Sequence, residues 1–264
     1  MHGLVLSLFP GIGLLDRAFE EEGFCLVRGP DVLWGGDVRR FHPPAGRFDG
    51  VIGGPPCQAF SSLRHIVNAN GHKLRFGNLI PEFERCVAEA RPEWFLMENV
   101  REAPIPSVLG YATWSTLLNN RQCIDEEGKP AVQNRVRRWT FGDRRTGKRT
   151  VLMIDTAALE AIEFEYAATG GYAGTLARVD KRRVGKPGSV REFRRASSCL
   201  GKNYKTAWAF ERLKSAQGLP ADFDLPPFLV EAKCRAVGNG VPLPMGRAIA
   251  RAVKEAIGAT TRRG

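Results

Sequence analysis

Short apolar runs and helical stripes take turns along the first hundred residues. Leu4-Val5-Leu6-Ser7-Leu8-Phe9 is an apolar run that stops at Pro10-Gly11-Ile12-Gly13, the pattern of a buried strand ending in a glycine turn. Leu14, Leu15, Ala18 and Phe19 recur at helical spacing, with Gly23 as the stop. Phe24-Cys25-Leu26-Val27 reads as a second strand, with Asp31 just past it and Asp37 following Gly35-Gly36. Val51-Ile52 reads as the next buried strand, running into Gly53-Gly54-Pro55-Pro56-Cys57-Gln58. Residues Ser61 to Asn78 are polar and aperiodic, which predicts a long loop, and long loops in compact domains are usually functional. Leu79, Ile80, Phe83, Val87 and Ala90 form a helical stripe that Pro92 breaks, and Glu93 to Met97 forms a strand ending in Glu98-Asn99-Val100. Val108 to Leu118 is predicted as a helix. From Gln133 to Phe141 the chain alternates, with Gln133, Arg135 and Arg137 on one face, which fits an edge strand with outward charges as well as a functional strand. Helices are predicted again over Trp208–Gln217 and Leu243–Ile257.

Strand, glycine turn, helix, strand is the opening of a wound α/β fold, in which ligands bind at the carboxyl ends of the strands. Cys57 and Glu98 both fall at such ends. Two prolines fix φ and remove two backbone donors ahead of Cys57, so the loop holds that cysteine in one place. A stiff turn beside an ordinary buried cysteine is the competing explanation. Gly11-Ile12-Gly13 lacks a third glycine, so the dinucleotide fingerprint is incomplete. Acids placed like Asp31 and Asp37 commonly accept hydrogen bonds from a ribose or an adenine amino group, though a turn aspartate explains Asp31 alone equally well.

At 264 residues the chain has room for one large domain, or a large one with a small one, and its 43% apolar content supplies a core. No apolar run reaches membrane-spanning length, and the start lacks the basic and small-residue features of a signal peptide, so a cytoplasmic location is expected. The net charge of +11 suits a polyanionic partner. Its distribution says more: from Arg135 to Arg195 basic residues crowd a glycine-rich, weakly periodic stretch with few acids. None of the six cysteines forms a CxxC pair, and no Cys/His set has zinc spacing, so no metal site is expected. Cys25 and Cys86 read as small core residues.

The order of these pieces resembles the DNA cytosine-5 methyltransferase family over nearly the whole chain. The resemblance rests on Phe9-Pro10-Gly11-Ile12-Gly13, Gly36-Asp37-Val38, Gly54-Pro55-Pro56-Cys57-Gln58, Glu98-Asn99-Val100, Gln133-x-Arg135-x-Arg137, Gln217-Gly218-Leu219-Pro220 and Gly238-Asn239-Gly240-Val241. It implies a Rossmann-like S-adenosylmethionine-dependent methyltransferase sheet with a small, loop-rich target-recognition domain. The expected division is a catalytic and cofactor-binding domain over 1–142, a recognition domain over 143–234, and a C-terminal segment, 235–264, returning to the first. It implies Cys57 as the nucleophile at carbon 6 of cytosine, Glu98 as the group that protonates or hydrogen-bonds the ring nitrogen if burial raises its pKa, and Arg135 and Arg137 as positive charge near the thiolate. The cofactor, S-adenosyl-L-methionine, would lie against Phe9, Gly11, Gly13, Asp31, Asp37, Val38, Pro55, Leu79 and Asn239, with the role of Asp31 the least defined. The implied partner is double-stranded DNA with its target base flipped out, bound by a monomer. A tRNA cytosine-5 methyltransferase and a non-catalytic DNA-binding homologue are the alternatives. Three departures stand out: the helix usual between the second strand and Gly36-Asp37 is missing, the segment before Gln217-Gly218 matches loosely, and the recognition region is small. The small size suits a phage-borne or orphan member of a family otherwise tied to restriction–modification.

Overall fold

The computed structural model describes residues 3–57, 60, 77–131, 133–157, 166–167, 177–178, 207–226 and 228–261. Its centre is a six-stranded sheet in the order β2-β1-β3-β4-β7-β5. The strands are β1 (Leu4–Leu8), β2 (Cys25–Arg28), β3 (Gly50–Gly53), β4 (Trp94–Asn99), β5 (Ala112–Asn119) and β7 (Val136–Asp143). The first four run parallel, and β7 lies antiparallel between β4 and β5. Short strands β6 (Gln133–Asn134), β8 (Tyr166–Ala167) and β9 (Ala177–Arg178) make a second, three-stranded sheet.

Alternation along the central strands fills both faces. Val5, Ile52, Leu96 and Phe141 pack on one side with Leu15 and Phe19 of α1 (Leu14–Glu21) and Ile249 and Val253 of α5 (Leu243–Thr261). Leu6, Leu8, Val51, Phe95 and Met97 face the other side, against Phe83 and Val87 of α2 (Ile80–Ala90). Each such side chain contributes about 1.5–3 kcal/mol relative to exposure. Helices α3 (Ala207–Ala216) and α4 (Val230–Asn239) pack through Phe210, Leu213 and Val237 onto Leu14 and Ala18 of α1. Among the described residues no helix is long and apolar enough to cross a membrane.

Several expectations change. The segment predicted as a helix over Val108–Leu118 is strand β5 from Ala112: Gly110 sits at φ 87, and eight residues of β5 pair with β7. β7 is an interior strand rather than an edge. Among the described residues β2 and β5 are the two edges of the sheet, and Cys25 on edge strand β2 is exposed rather than in the core. Between β2 and β3 there are only two 3₁₀ turns, Val32–Trp34 and Val38–Arg40, and Asp31 and Asp37 cap them. Helix α4 has no counterpart among the predicted elements. Of the region expected to be a recognition domain, Leu152 and Ile154 pack with the central core, while 158–165, 168–176 and 179–206 lie outside the described residues, as do 61–76 of the predicted loop.

Candidate active site

Sheet register assembles the site. Leu8 pairs with Gly53, and Gly53 with Met97, in one row across β1, β3 and β4. The next residues, Phe9, Gly54 and Glu98, therefore form a lip at the carboxyl end, and Pro55-Pro56 carries the chain on to Cys57. Cys57 opens a tight turn in which its carbonyl accepts from Phe60 N–H at 2.9 Å. Asn99, fully buried, fastens this loop: its Nδ2 donates to the Pro55 carbonyl at 3.2 Å, and its Oδ1 accepts from Val100 N–H at 2.8 Å. A Cβ on Gly54 would stand 3.2 Å from Glu98 Oε2, so the glycine leaves room for the carboxylate to come close.

The antiparallel neighbour supplies the cation. Glu98 pairs with Trp139 across β4 and β7, which puts Arg137 on the diagonal of the same face. Arg137 Nε donates to Glu98 Oε1 at 2.8 Å, with both side chains about nine-tenths buried (10% and 12% exposed). Burial pushes the Cys57 thiol above its ordinary value; Arg137, and more weakly Arg135, act in the opposite direction, and Glu98 adds to the rise. Arg135 takes a different position from the one its spacing implies. Its guanidinium donates to the carbonyls of Gly238 at 2.9 Å and Gly240 at 3.2 Å, so it reaches the thiolate only through space.

The glycine turn after β1 is left-handed at Phe9 (φ 56), Gly11 (φ 57) and Gly13 (φ 77). A Cβ on Gly13 would lie 2.8 Å from Arg28 Nη2, whereas nothing stands within 4 Å of a Cβ on Gly11. Arg28 is held there by Asp16, which is fully buried and also accepts from Ser7 Oγ. Asp31 Oδ2 accepts from Gly11 N–H at 2.9 Å, and Trp34 Nε1 donates to the Gly11 carbonyl at 2.8 Å. Asp37 is clasped by Arg39, whose side chain and N–H both bond it and hold its carboxyl below the usual range. Val38 and Pro55 are buried, Leu79 at the start of α2 packs in the same apolar cluster as Val38, and Asn239 is exposed at the end of α4. The open space beside Gly11, the acids at Asp31 and Asp37 and the half-buried Leu79 fit an adenosine group with its hydroxyl and amine donors; each carboxylate oxygen keeps accepting capacity. The carboxyl end thus gathers Cys57, Glu98 and Arg137 at one place and the cofactor candidates of β1 and the 3₁₀ turns beside it. The roles of Asn99, Gly54, Gln133 and Gln217 were missed, although all four lie in the motifs that carry the resemblance.

Residues 35–105 match the family described as C-5 cytosine-specific DNA methylase. Over that stretch the chain is similar to these methylases. Among its relatives, the type II methyltransferase M.FnuDI of Fusobacterium nucleatum is 32% identical, over 37% of this chain and 32% of its own length. M.AquIA of Picosynechococcus is 47% identical, over 38% of this chain and 50% of its own. The chain thus spans between a third and a half of these relatives' length. The structure of a Spodoptera frugiperda DNMT2 mutant superposes with a TM-score of 0.57 at 15% identity, covering 95% of this chain and 99% of that one. The fold is the class I S-adenosylmethionine methyltransferase fold, and S-adenosylmethionine is the family's cofactor.

Proposed function

We propose that this chain transfers a methyl group to carbon 5 of a flipped-out cytosine in duplex DNA, through a covalent bond from Cys57 Sγ to carbon 6. The observation that carries the reading is the placement of Cys57 and Glu98 at adjacent parallel strand ends, with Arg137 bound to Glu98. Carbon 5 of cytosine is a poor nucleophile, and addition of a thiolate at carbon 6 makes it enamine-like. Glu98 stands where a hydrogen bond or proton can reach the ring nitrogen as Cys57 adds. Arg137 orients Glu98 and favours the thiolate. Bound S-adenosylmethionine supplies an electrophilic methyl on its sulfonium. Loss of the carbon-5 proton to a base then expels Cys57 by β-elimination. We place target reading in the 143–234 region and phosphate contact on its basic residues.

The test is transfer of labelled methyl to mixed-sequence duplex DNA, with tRNA beside it. Wild-type protein is expected to label DNA, Cys57→Ser is expected to abolish labelling, and 5-fluorocytosine-containing duplex is expected to trap the wild type covalently. A wild type that binds S-adenosylmethionine yet labels neither nucleic acid defeats the reading.

A further inference from the structure

A buried polar network joins the strand that carries Arg137 to the C-terminal turn of α4, which carries Asn239. Arg135 is 3% exposed, and it directs two nitrogens of its fork to two different carbonyls, those of Gly238 and Gly240. Gln217, fully buried at the end of α3, works on the same turn from the other side: its Nε2 donates to the carbonyls of Val237 at 2.6 Å and Gly240 at 3.2 Å. Gln217 also accepts Leu243 N–H on its own carbonyl at 2.9 Å, and its side-chain oxygen receives Gln133 Nε2 at 3.3 Å. Leu14, the residue after the Gly13 turn, closes the third side, since a Cβ on Gly240 would fall 2.6 Å from its Cδ1. Between the two held glycines the side chain of Asn239 is exposed.

These contacts hold the turn by its backbone and leave the Asn239 side chain exposed. Buried carbonyls need donors, and a fixed guanidinium fork supplies two at a set spacing. Resting on the cofactor reading above, we propose that Arg135 is a positioning residue for the cofactor: with Gln217 it fixes the Gly238–Gly240 turn so that Asn239 meets S-adenosylmethionine. The charge of Arg135 is secondary to its shape. Because Arg135 precedes Arg137 on the same chain, the network also ties the cofactor turn to the Glu98 pair.

Shape and charge separate cleanly in Arg135→Lys, which keeps the cation and loses the fork. The variant is expected to bind S-adenosylmethionine about tenfold more weakly by calorimetry, to raise KM for that cofactor by the same factor, and to leave the pH limb of kcat at saturating cofactor unmoved. Gln217→Leu is expected to weaken cofactor binding in the same direction, with thermal melting confirming that both variants fold. An Arg135→Lys enzyme with wild-type cofactor affinity overturns the proposal, and so does a shifted pH limb with unchanged KM, which returns Arg135 to the thiolate. Wild-type protein that fails to bind S-adenosylmethionine at all instead defeats the cofactor reading on which this rests.

Discussion

The thiol that the proposed mechanism uses as its nucleophile sits in a place that opposes its ionisation. Burial is the largest influence on Cys57 and raises its pKa; Arg137 is the largest influence the other way. A thiol shifted upward is mostly protonated at neutral pH, so its reactivity is expected to climb with pH beyond the range where an ordinary cysteine has levelled off. Arg137→Gln removes the main lowering influence and also releases Glu98, whose charge raises the thiol. Both changes have the same sign, so the alkylation limb of Cys57 is expected to move to still higher pH. Peptide-resolved mass spectrometry after iodoacetamide labelling reads this directly; a limb that stays put in Arg137→Gln refutes it. Exposed Cys25 serves as an internal reference, while Cys86 and Cys123 are buried, pushed up to about 11 and about 12, and should label slowly. At this scale the sequence was informative where chemistry is local. Pro-Pro-Cys-Gln marks a rigid cysteine by composition alone, and Glu98 follows from its strand end. Arg135 and Arg137 are two residues apart in one motif and looked equivalent. Only the fold, which brings the end of α4 beside Arg135 and Glu98 beside Arg137, shows that one reaches Glu98 and the other grips two carbonyls.

The sheet sets the distance between Cys57 and Glu98, so its packing tolerances bear on the site. Gly142 on β7 pairs with Phe95 on β4, and a Cβ there would lie 2.1 Å from the Phe95 ring. The ring has no room to withdraw, because it also packs on Phe83 and Tyr111. Gly142→Ala is therefore expected to destabilise the fold by about 1–3 kcal/mol through overpacking. That corresponds to a fall in melting temperature of roughly 2–4 °C per kcal/mol for a domain of this size. An unchanged melting temperature shows that β4 and β7 pack more loosely than the register implies. The parallel half of the sheet was legible because continuous apolar runs bounded by glycine and proline have few other readings. β5 was not: Val108, Tyr111, Ala112, Ser115 and Leu118 fall at helical spacing, and the pairing with β7 that makes the segment a strand joins residues far apart in the chain, such as Ala112 and Asp143. Helix α4 lacks a strong stripe of its own, and is organised by Cys234 and Val237 against α1 and α3.

For the whole molecule, net charge of +11 argues for a polyanion, but not every cation is free to meet one. Arg135 and Arg137 are spent inside the site. Arg138 donates to the Arg101 carbonyl at 2.7 Å, Arg144 to the Arg91 carbonyl at 3.2 Å, and Arg145 pairs with buried Asp143 at 2.7 Å. The basic stretch that reads from sequence as a binding surface thus begins with residues that hold the fold. Lys148 and Arg149, further along, are exposed. If duplex DNA is the substrate, phosphate contacts release counterions, and the logarithm of affinity falls with the logarithm of salt by about 0.9 for each phosphate neutralised. Replacing Lys148 or Arg149 by alanine is expected to weaken binding alike for all sequences and to reduce that slope by about one for each phosphate that is no longer neutralised. Replacing Arg145 is expected to lower the melting temperature, since it strands a buried carboxylate. Fluorescence anisotropy over a salt series, run in parallel on a duplex and on tRNA, checks the binding; thermal melting of the Arg145 variant checks the fold. Equal slopes for wild type and for the Lys148 and Arg149 variants place the duplex elsewhere on the protein. Methyl transfer confined to tRNA, with the duplex bound but unmodified, makes the chain an RNA enzyme on the same sheet, with Cys57, Glu98 and Arg137 in the same roles.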